Sequence, residues 1–226
     1  MTSQKKGYLI AIDGPSGAGK STVSRLLAKE LKGTLMDTGG MYRSIAYLAI
    51  IQKLNHPKSV GALTRKTNFQ IDILTGHLLT NGIHLGEKLR TLNISQKASL
   101  ISQWKEVREA LTKKQQMLAA TLSQSTPIVI EGRDIGSVVF PSAGFKFFIT
   151  ADPSIRARRR LKQLKQSKKH LNIKKILKLE QKRDWQDSHR KYAPLTCPKD
   201  AIIIDTSHMT LKEVVSHILF YLKMHH

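Results

Sequence analysis

The sequence is short of cysteine and of acid, and it has no long apolar run. Among 226 residues Cys197 is the single cysteine. That excludes an internal disulfide framework and any multi-cysteine metal site. A reducing, cytoplasmic setting is the resulting expectation. The longest apolar run, residues 45–51, is far too short to cross a bilayer, so no membrane span is expected. Lys5 and Lys6 precede a short apolar stretch that Asp13 ends, a pattern unlike a signal peptide. The shortage of acid is the larger anomaly. Sixteen Asp and Glu face 38 Lys and Arg, a formal net charge of +22. Residues 153–191 alone hold fifteen Lys and Arg against three Asp and Glu. Such a tract suits a nucleic acid or a membrane surface, a small polyanion, or plain solvation, and charge alone does not choose.

What is present argues for a folded α/β protein. Hydrophobic residues make up 40% of the chain and charged residues 24%, enough apolar surface for a core. Five short runs read as strands covered on both faces: 8–12, 34–36, 128–130, 145–150 and 201–205. Helical patterns at 21–32, 107–122, 153–166 and 211–223 separate most of them, which implies a parallel sheet. Residues 69–74 instead alternate, and Asn81-Gly82 divides two further apolar runs. Asn-Gly there signals a hairpin, so a small antiparallel insertion is expected.

Gly14, Pro15, Ser16, Gly17, Ala18, Gly19, Lys20 and Ser21 match GxxxxGK[ST] between a strand and a helix. Glycines let the backbone wrap phosphate oxygens, and the helix N-terminus adds partial positive charge. Lys20 can reach the outer phosphates, and the Ser21 hydroxyl can ligate Mg²⁺. A GTPase fits poorly, because Asp37-Thr-Gly-Gly40 follows Lys20 too closely and no NKxD string is present. An ATPase driven by nucleic acid gains from the basic tract but lacks an LSGGQ-type signature. A small-molecule kinase explains more. Arg43, Arg133, Arg183 and Arg190 occur where a phosphorylated acceptor would need cations. On a helix Arg183, Asp187 and Arg190 share one face, which is equally the pattern of a salt-bridged surface.

Together these residues resemble bacterial cytidylate kinases, a family of nucleoside monophosphate kinases. The strings that carry the likeness are IDGPSGAGKST at 12–22, DTGGMYR at 37–43, KAS at 97–99 and VREAL at 107–111. EGRDIGSVVFP at 131–141 and RDWQDSHRKYAPL at 183–195 complete the set. Thr38 stands where the family pattern has Ser, and it keeps the hydroxyl. The resemblance implies a single folded unit with a five-stranded parallel P-loop core (1–62, 99–152 and 173–226), an insertion at 63–98 and a lid at 153–172. It implies ATP on Gly14–Thr22, with Mg²⁺ at Ser21. Thr38, Tyr42, Arg43, Arg133 and Arg190 would surround the acceptor, mostly its phosphate. Ser99, Arg108 and Asp134 would read the base, and Arg183 and Asp187 would hold the ribose. Ser99 and Arg108 are nine residues apart, so they share a site only if Ser99 precedes the helix or the chain bends. Arg159, with Arg156 and Arg160 nearby, would close over the ATP phosphates. Lys20, Arg133, Arg159 and Arg190 are thus the expected catalytic residues. The implied reaction converts ATP and CMP, or dCMP, to ADP and the diphosphate in a monomer without nucleic-acid or membrane partners. An RNA-associated P-loop ATPase using residues 153–191 is the alternative. Asp37 and Glu131 are open to two roles, holding metal-bound water or ending strands. Asp205 and Ser207 are candidates for a helix cap or an adenine-side loop.

Overall fold

The computed structural model describes residues 8–72, 74–124, 126–165 and 173–225. In chain order it has β1 (Leu9–Asp13), α1 (Lys20–Glu30), β2 (Thr34–Asp37), α2 (Thr38–Ile51) and α3 (Pro57–Lys66). Then come β3 (Phe69–Ile71), β4 (Leu78–Thr80), β5 (Ile83–His84), α4 (Leu92–Ile101), α5 (Lys105–Leu122) and β6 (Ile128–Glu131). β7 (Phe145–Thr150), α6 (Pro153–Lys165), α7 (Ile173–His189), β8 (Ile202–Asp205) and α8 (Leu211–His225) follow. A 3₁₀ turn at Gly86–Arg90 and a π-helical turn at Ile135–Val139 complete the description.

The five continuous apolar runs form one parallel sheet in the order β2-β6-β1-β7-β8. β1 and β6 are buried on both sides, as unbroken apolar runs suggest, whereas the edge strand β8 leaves Ile203 exposed. Ile10, Ile12, Phe147 and Ile149 pack under α1 and α8, with Val23, Leu27, Val214 and Ile218. Ala11, Ile128 and Ile130 face the other way, toward Ile135, Val139 and Ala119 of α5. The chain leaves β1 toward β2, fills the gap with β6, then crosses to β7. This reversal opens a crevice at the carboxyl ends of the central strands, where α/β sheets bind ligands.

The insertion is a three-stranded antiparallel sheet, β3-β4-β5. Asn81 and Gly82 both have positive φ, at 51° and 78°, which the two-residue turn between β4 and β5 demands. Phe69 and Ile71 point inward while Gln70 is exposed, as the alternation predicts; Ile73 lies outside the described residues. A second core joins this sheet to the helices, with Met41, Ile45, Val60, Ile101 and Leu111 buried together. Helices α2, α3 and α4 are additions to the sequence reading. Each starts on a side-chain cap: Asp37 accepts from Gly40, His56 from Lys58, and Thr91 from Ile94. The expected helix at 153–166 is described to Lys165, and residues 166–172, the rest of the expected lid, lie outside the described residues. Among the described residues no helix is long and apolar enough to cross a membrane.

Candidate active site

The loop between β1 and α1 is shaped by glycine. Gly14 has φ 140°, and a Cβ there would sit 2.0 Å from Ile149 O. The loop therefore presses against β7 in a way no side chain allows. Lys20 folds back, and its Nζ donates to Pro15 O at 2.6 Å. Burial, followed by repulsion from Arg133, holds this ammonium well below its usual pKa.

The loop's outer side is held from a distance. Arg156 Nη1 donates to Ser16 O at 3.0 Å and to Asp184 Oδ2 at 2.5 Å, and its Nε donates to Ala151 O. Thr206 Oγ1 lies 3.1 Å from Ala18 O and 3.0 Å from Thr150 O. Arg159 Nη1 donates to Thr206 Oγ1 and, at 3.4 Å, to Ala18 O, while Nη2 donates to Thr206 O. Arg160 Nε is 4.0 Å from Glu180 Oε1.

The adjoining strand ends bring carboxylates to the cradle. Glu131 is buried at the end of β6 and hydrogen-bonded to the Ser21 side chain. Burial, with the like charge of Asp37, pushes it up to about 7. Asp37 accepts from Gly40 N at 2.7 Å and from Arg43 Nη2 at 2.6 Å. Among the described residues no group of three or more His, Cys, Asp or Glu could hold a metal alone. One exposed hydroxyl beside one carboxylate suits Mg²⁺, which takes few protein oxygens and completes its shell with phosphates and water.

The second half of the site faces this cradle across β6. Thr38 Oγ1 donates to Glu131 O at 2.7 Å. Arg133 Nε donates to Asp187 Oδ2 at 2.9 Å. Burial lowers the Arg133 pKa, but Asp187 outweighs it and the net shift is upward. Asp134 is buried between two guanidiniums: Arg108 bonds one carboxylate oxygen, and Arg190 Nη2 donates to the other at 3.1 Å. The Arg108 guanidinium lies 5.9 Å from the Tyr42 ring centroid. Burial pushes the Tyr42 hydroxyl up to about 12. Arg183 sits on the inner side of α7, lowered to about 10 by burial and by Arg133.

The structure thus gathers Thr38, Tyr42, Arg43, Arg108, Arg133, Asp134, Arg183, Asp187 and Arg190 around the carboxyl end of β6. Ser99 lies on α4, whereas Arg108 lies on α5. The chain does bend between α4 and α5, and Arg108 Nη1 reaches back to Ser102 O. The Ser99 hydroxyl itself is buried with no partner among the described residues. Ser99, Gln103, Arg160, Glu180 and Arg183 line a cavity of about 310 Å³ between α4 and α7.

Four participants escaped the sequence reading. Asp13 accepts from Ile135 N (2.8 Å) and Gly136 N (2.7 Å), fixing the turn that follows Arg133 and Asp134. Burial pushes its carboxyl up to about 6. Glu180 and Asp184 join Asp187 on one face of α7, each against an arginine, and their spacing of four and three residues was the available signal. Thr206, beside the expected loop residues Asp205 and Ser207, touches the cradle. The α8 cap belongs to Thr210 and Glu213, which bond reciprocally, rather than to Asp205 or Ser207.

Residues 10–224 match the family model described as Cytidylate kinase. A cytidylate kinase of Caldanaerobacter subterraneus subsp. tengcongensis is 44% identical over 211 residues, covering 92% of this chain and 92% of that protein. One of Clostridium tetani is 43% identical over 210 residues, covering 93% and 91%. Among solved structures, an uncharacterized protein from Eubacterium ventriosum superposes with a TM-score of 0.53 at 14% identity, covering 97% and 99%. That last likeness concerns the fold alone.

Proposed function

The chain belongs to the cytidylate kinase family, and is therefore a phosphotransferase; from that premise we propose that it moves the terminal phosphoryl group of ATP onto CMP and dCMP. The observation that carries this reading is the meeting of two anion-handling halves at one sheet edge. Gly14–Thr22 follows β1, while Arg133 and Asp134 follow β6, the strand hydrogen-bonded beside it. The match to the family runs through residues 153–191, so an RNA-driven ATPase gains no support from that tract.

In this reading the acceptor needs no general base. Its phosphate has a second pKa near 6 and is already an anion at neutral pH. The difficulty is to bring two polyanions into line, and cations offset their repulsion. Lys20 exchanges Pro15 O for the transferring phosphate. Arg43, Arg133 and Arg190 hold the acceptor phosphate, with Thr38 and Tyr42 beside it. Arg183 and Asp187 hold the ribose. Ser99, Arg108 and Asp134 read cytosine, whose N4 amine donates to Asp134. Arg159 faces the donor from the lid. Ser21 and Glu131 would hold Mg²⁺, which neutralises phosphate charge when bound. The region 63–98 serves the acceptor, 153–172 covers the donor, and the protein acts as a monomer.

Turnover of ATP with CMP, dCMP, UMP, AMP, dTMP, RNA or no acceptor tests the proposal. CMP and dCMP are expected to be phosphorylated and RNA to have no effect. Stimulation by RNA with no monophosphate accepted would reverse the reading.

A further inference from the structure

A trans peptide points its C=O and the next residue's N–H in opposite directions. Whatever holds a loop carbonyl outward therefore aims the following N–H inward. Two carbonyls of the cradle are held in this way, by residues outside it. Ser16 O accepts from Arg156, which is itself fixed by Asp184 and by Ala151 O. Ala18 O faces Thr206 Oγ1 at 3.1 Å and Arg159 Nη1 at 3.4 Å. The N–H groups governed by these two peptides belong to Gly17 and Gly19. Both residues have positive φ, 74° and 96°, a conformation glycine adopts readily, and without a side chain neither restrains its own peptide orientation.

We propose that Arg156, Asp184 and Thr206 are positioning residues: they turn the Ser16 and Ala18 carbonyls outward so that the Gly17 and Gly19 N–H groups face the donor's phosphates. The inference rests on the assignment of the donor to Gly14–Thr22. The physical gain is preorganisation: N–H dipoles aimed before the ligand arrives need not be reoriented during the reaction. Arg156 is buried, and Gly17 packs so closely that a Cβ there would lie 3.0 Å from Arg156 Cβ. Its guanidinium thus reaches the loop from behind, away from the concave side. Asp184 fixes the direction of that guanidinium through a charge-assisted bond, the strongest class available to a side chain.

The test measures binding to the folded protein by calorimetry, with three probes: ADP, inorganic tripolyphosphate and CMP. Tripolyphosphate carries no base, so it reports the cradle without any adenine contact near Thr206. Thr206→Val keeps shape and removes the hydroxyl, and Asp184→Asn keeps shape and removes the charge. Each is expected to weaken ADP and tripolyphosphate about tenfold while leaving CMP within about twofold, the worth of one good hydrogen bond. Arg156→Met should do the same more strongly, and Arg156→Lys should recover part of the loss. The wild-type amide signals of Gly17 and Gly19 should move on adding tripolyphosphate, and in Thr206→Val the Gly19 response should shrink. Loss of ADP affinity with tripolyphosphate unchanged would overturn the proposal in favour of an adenine contact. Equal weakening of all three probes would overturn it in favour of a general structural role. Wild-type ADP and tripolyphosphate affinities that survive Lys20→Ala unchanged would instead overturn the donor assignment itself.

Discussion

A guanidinium serves a phosphate only when it is aimed, and here most site arginines are aimed by a carboxylate. Arg43 has Asp37, Arg133 has Asp187, and Arg108 and Arg190 share Asp134. Asp134 is the counter-charge of two buried cations, and in the proposed reading it also meets the base. Its removal should cost stability by about 3–5 kcal/mol, as loss of one partner from a buried pair does. Among the molecules that fold, Asp134→Ala should lose most of the preference for CMP over UMP. Sites built on buried polar pairing discriminate by up to about 10⁴. The ratio of kcat/KM for the two acceptors checks this, since the ratio is insensitive to the folded fraction. Glu131 gives a second prediction. Its carboxyl is raised from 4.5 to about 7, chiefly by burial, so the folded state binds the proton more tightly than the unfolded chain. That contribution is complete below about pH 4.5 and is lost as the pH rises through 7. The unliganded protein should be less stable at pH 8 than at pH 5, and Glu131→Gln should flatten the difference by up to about 3 kcal/mol. Urea unfolding at the two pH values measures it. Identical profiles for the two proteins would mean that Glu131 titrates normally.

At the scale of elements, α7 is the most informative helix. Its inner face carries Arg183 and three acids: Glu180 and Asp184 meet Arg160 and Arg156 of α6, and Asp187 meets Arg133 after β6. Arg183→Ala should raise the KM for CMP roughly 10–100-fold, and Arg190→Ala likewise, with the KM for ATP little changed. A rise in the ATP value alone would move these arginines to the donor side. The five sheet strands were legible to within a residue or so, because unbroken apolar runs have one good solution, a parallel sheet covered by helices on both faces. Helices α2, α3 and α4 were not. Thr38–Ile51 opens with Thr-Gly-Gly and is apolar over most of its remaining surface, so no clear stripe marks it as a helix. The cradle was legible from its own residues. Its holders were not, because Arg156 and Thr206 lie 140 and 188 positions from the carbonyls they touch. Backbone-directed contacts of that span leave no local pattern.

At the scale of the whole molecule, the site is assembled from segments spread over most of the chain: 14–22, 38–43, 99–134 and 183–190. Substrates should therefore stabilise the entire fold rather than one part. A ligand at 100 times its Kd adds about 2.7 kcal/mol. CMP and a non-hydrolysable ATP analogue should each raise the unfolding midpoint at saturation. In Lys20→Ala the ATP analogue should lose most of its effect while CMP keeps its own. A thermal melt of both proteins with each ligand reports this, and equal shifts by the analogue in the two proteins would sink it.

The pairing of arginines with carboxylates also bears on turnover. In the proposed reading the acceptor phosphate must share or replace Asp37 beside Arg43 and Asp187 beside Arg133, acids the protein has already anchored there. Such an acid never diffuses away, so it acts as a resident competitor and sets a ceiling on how tightly that phosphate is held. When the diphosphate product loosens, the carboxylate is at hand to take its place, and no bare cation is left to delay departure. An enzyme whose product carries more charge than its substrate gains a route to release from the same contacts that aimed its arginines.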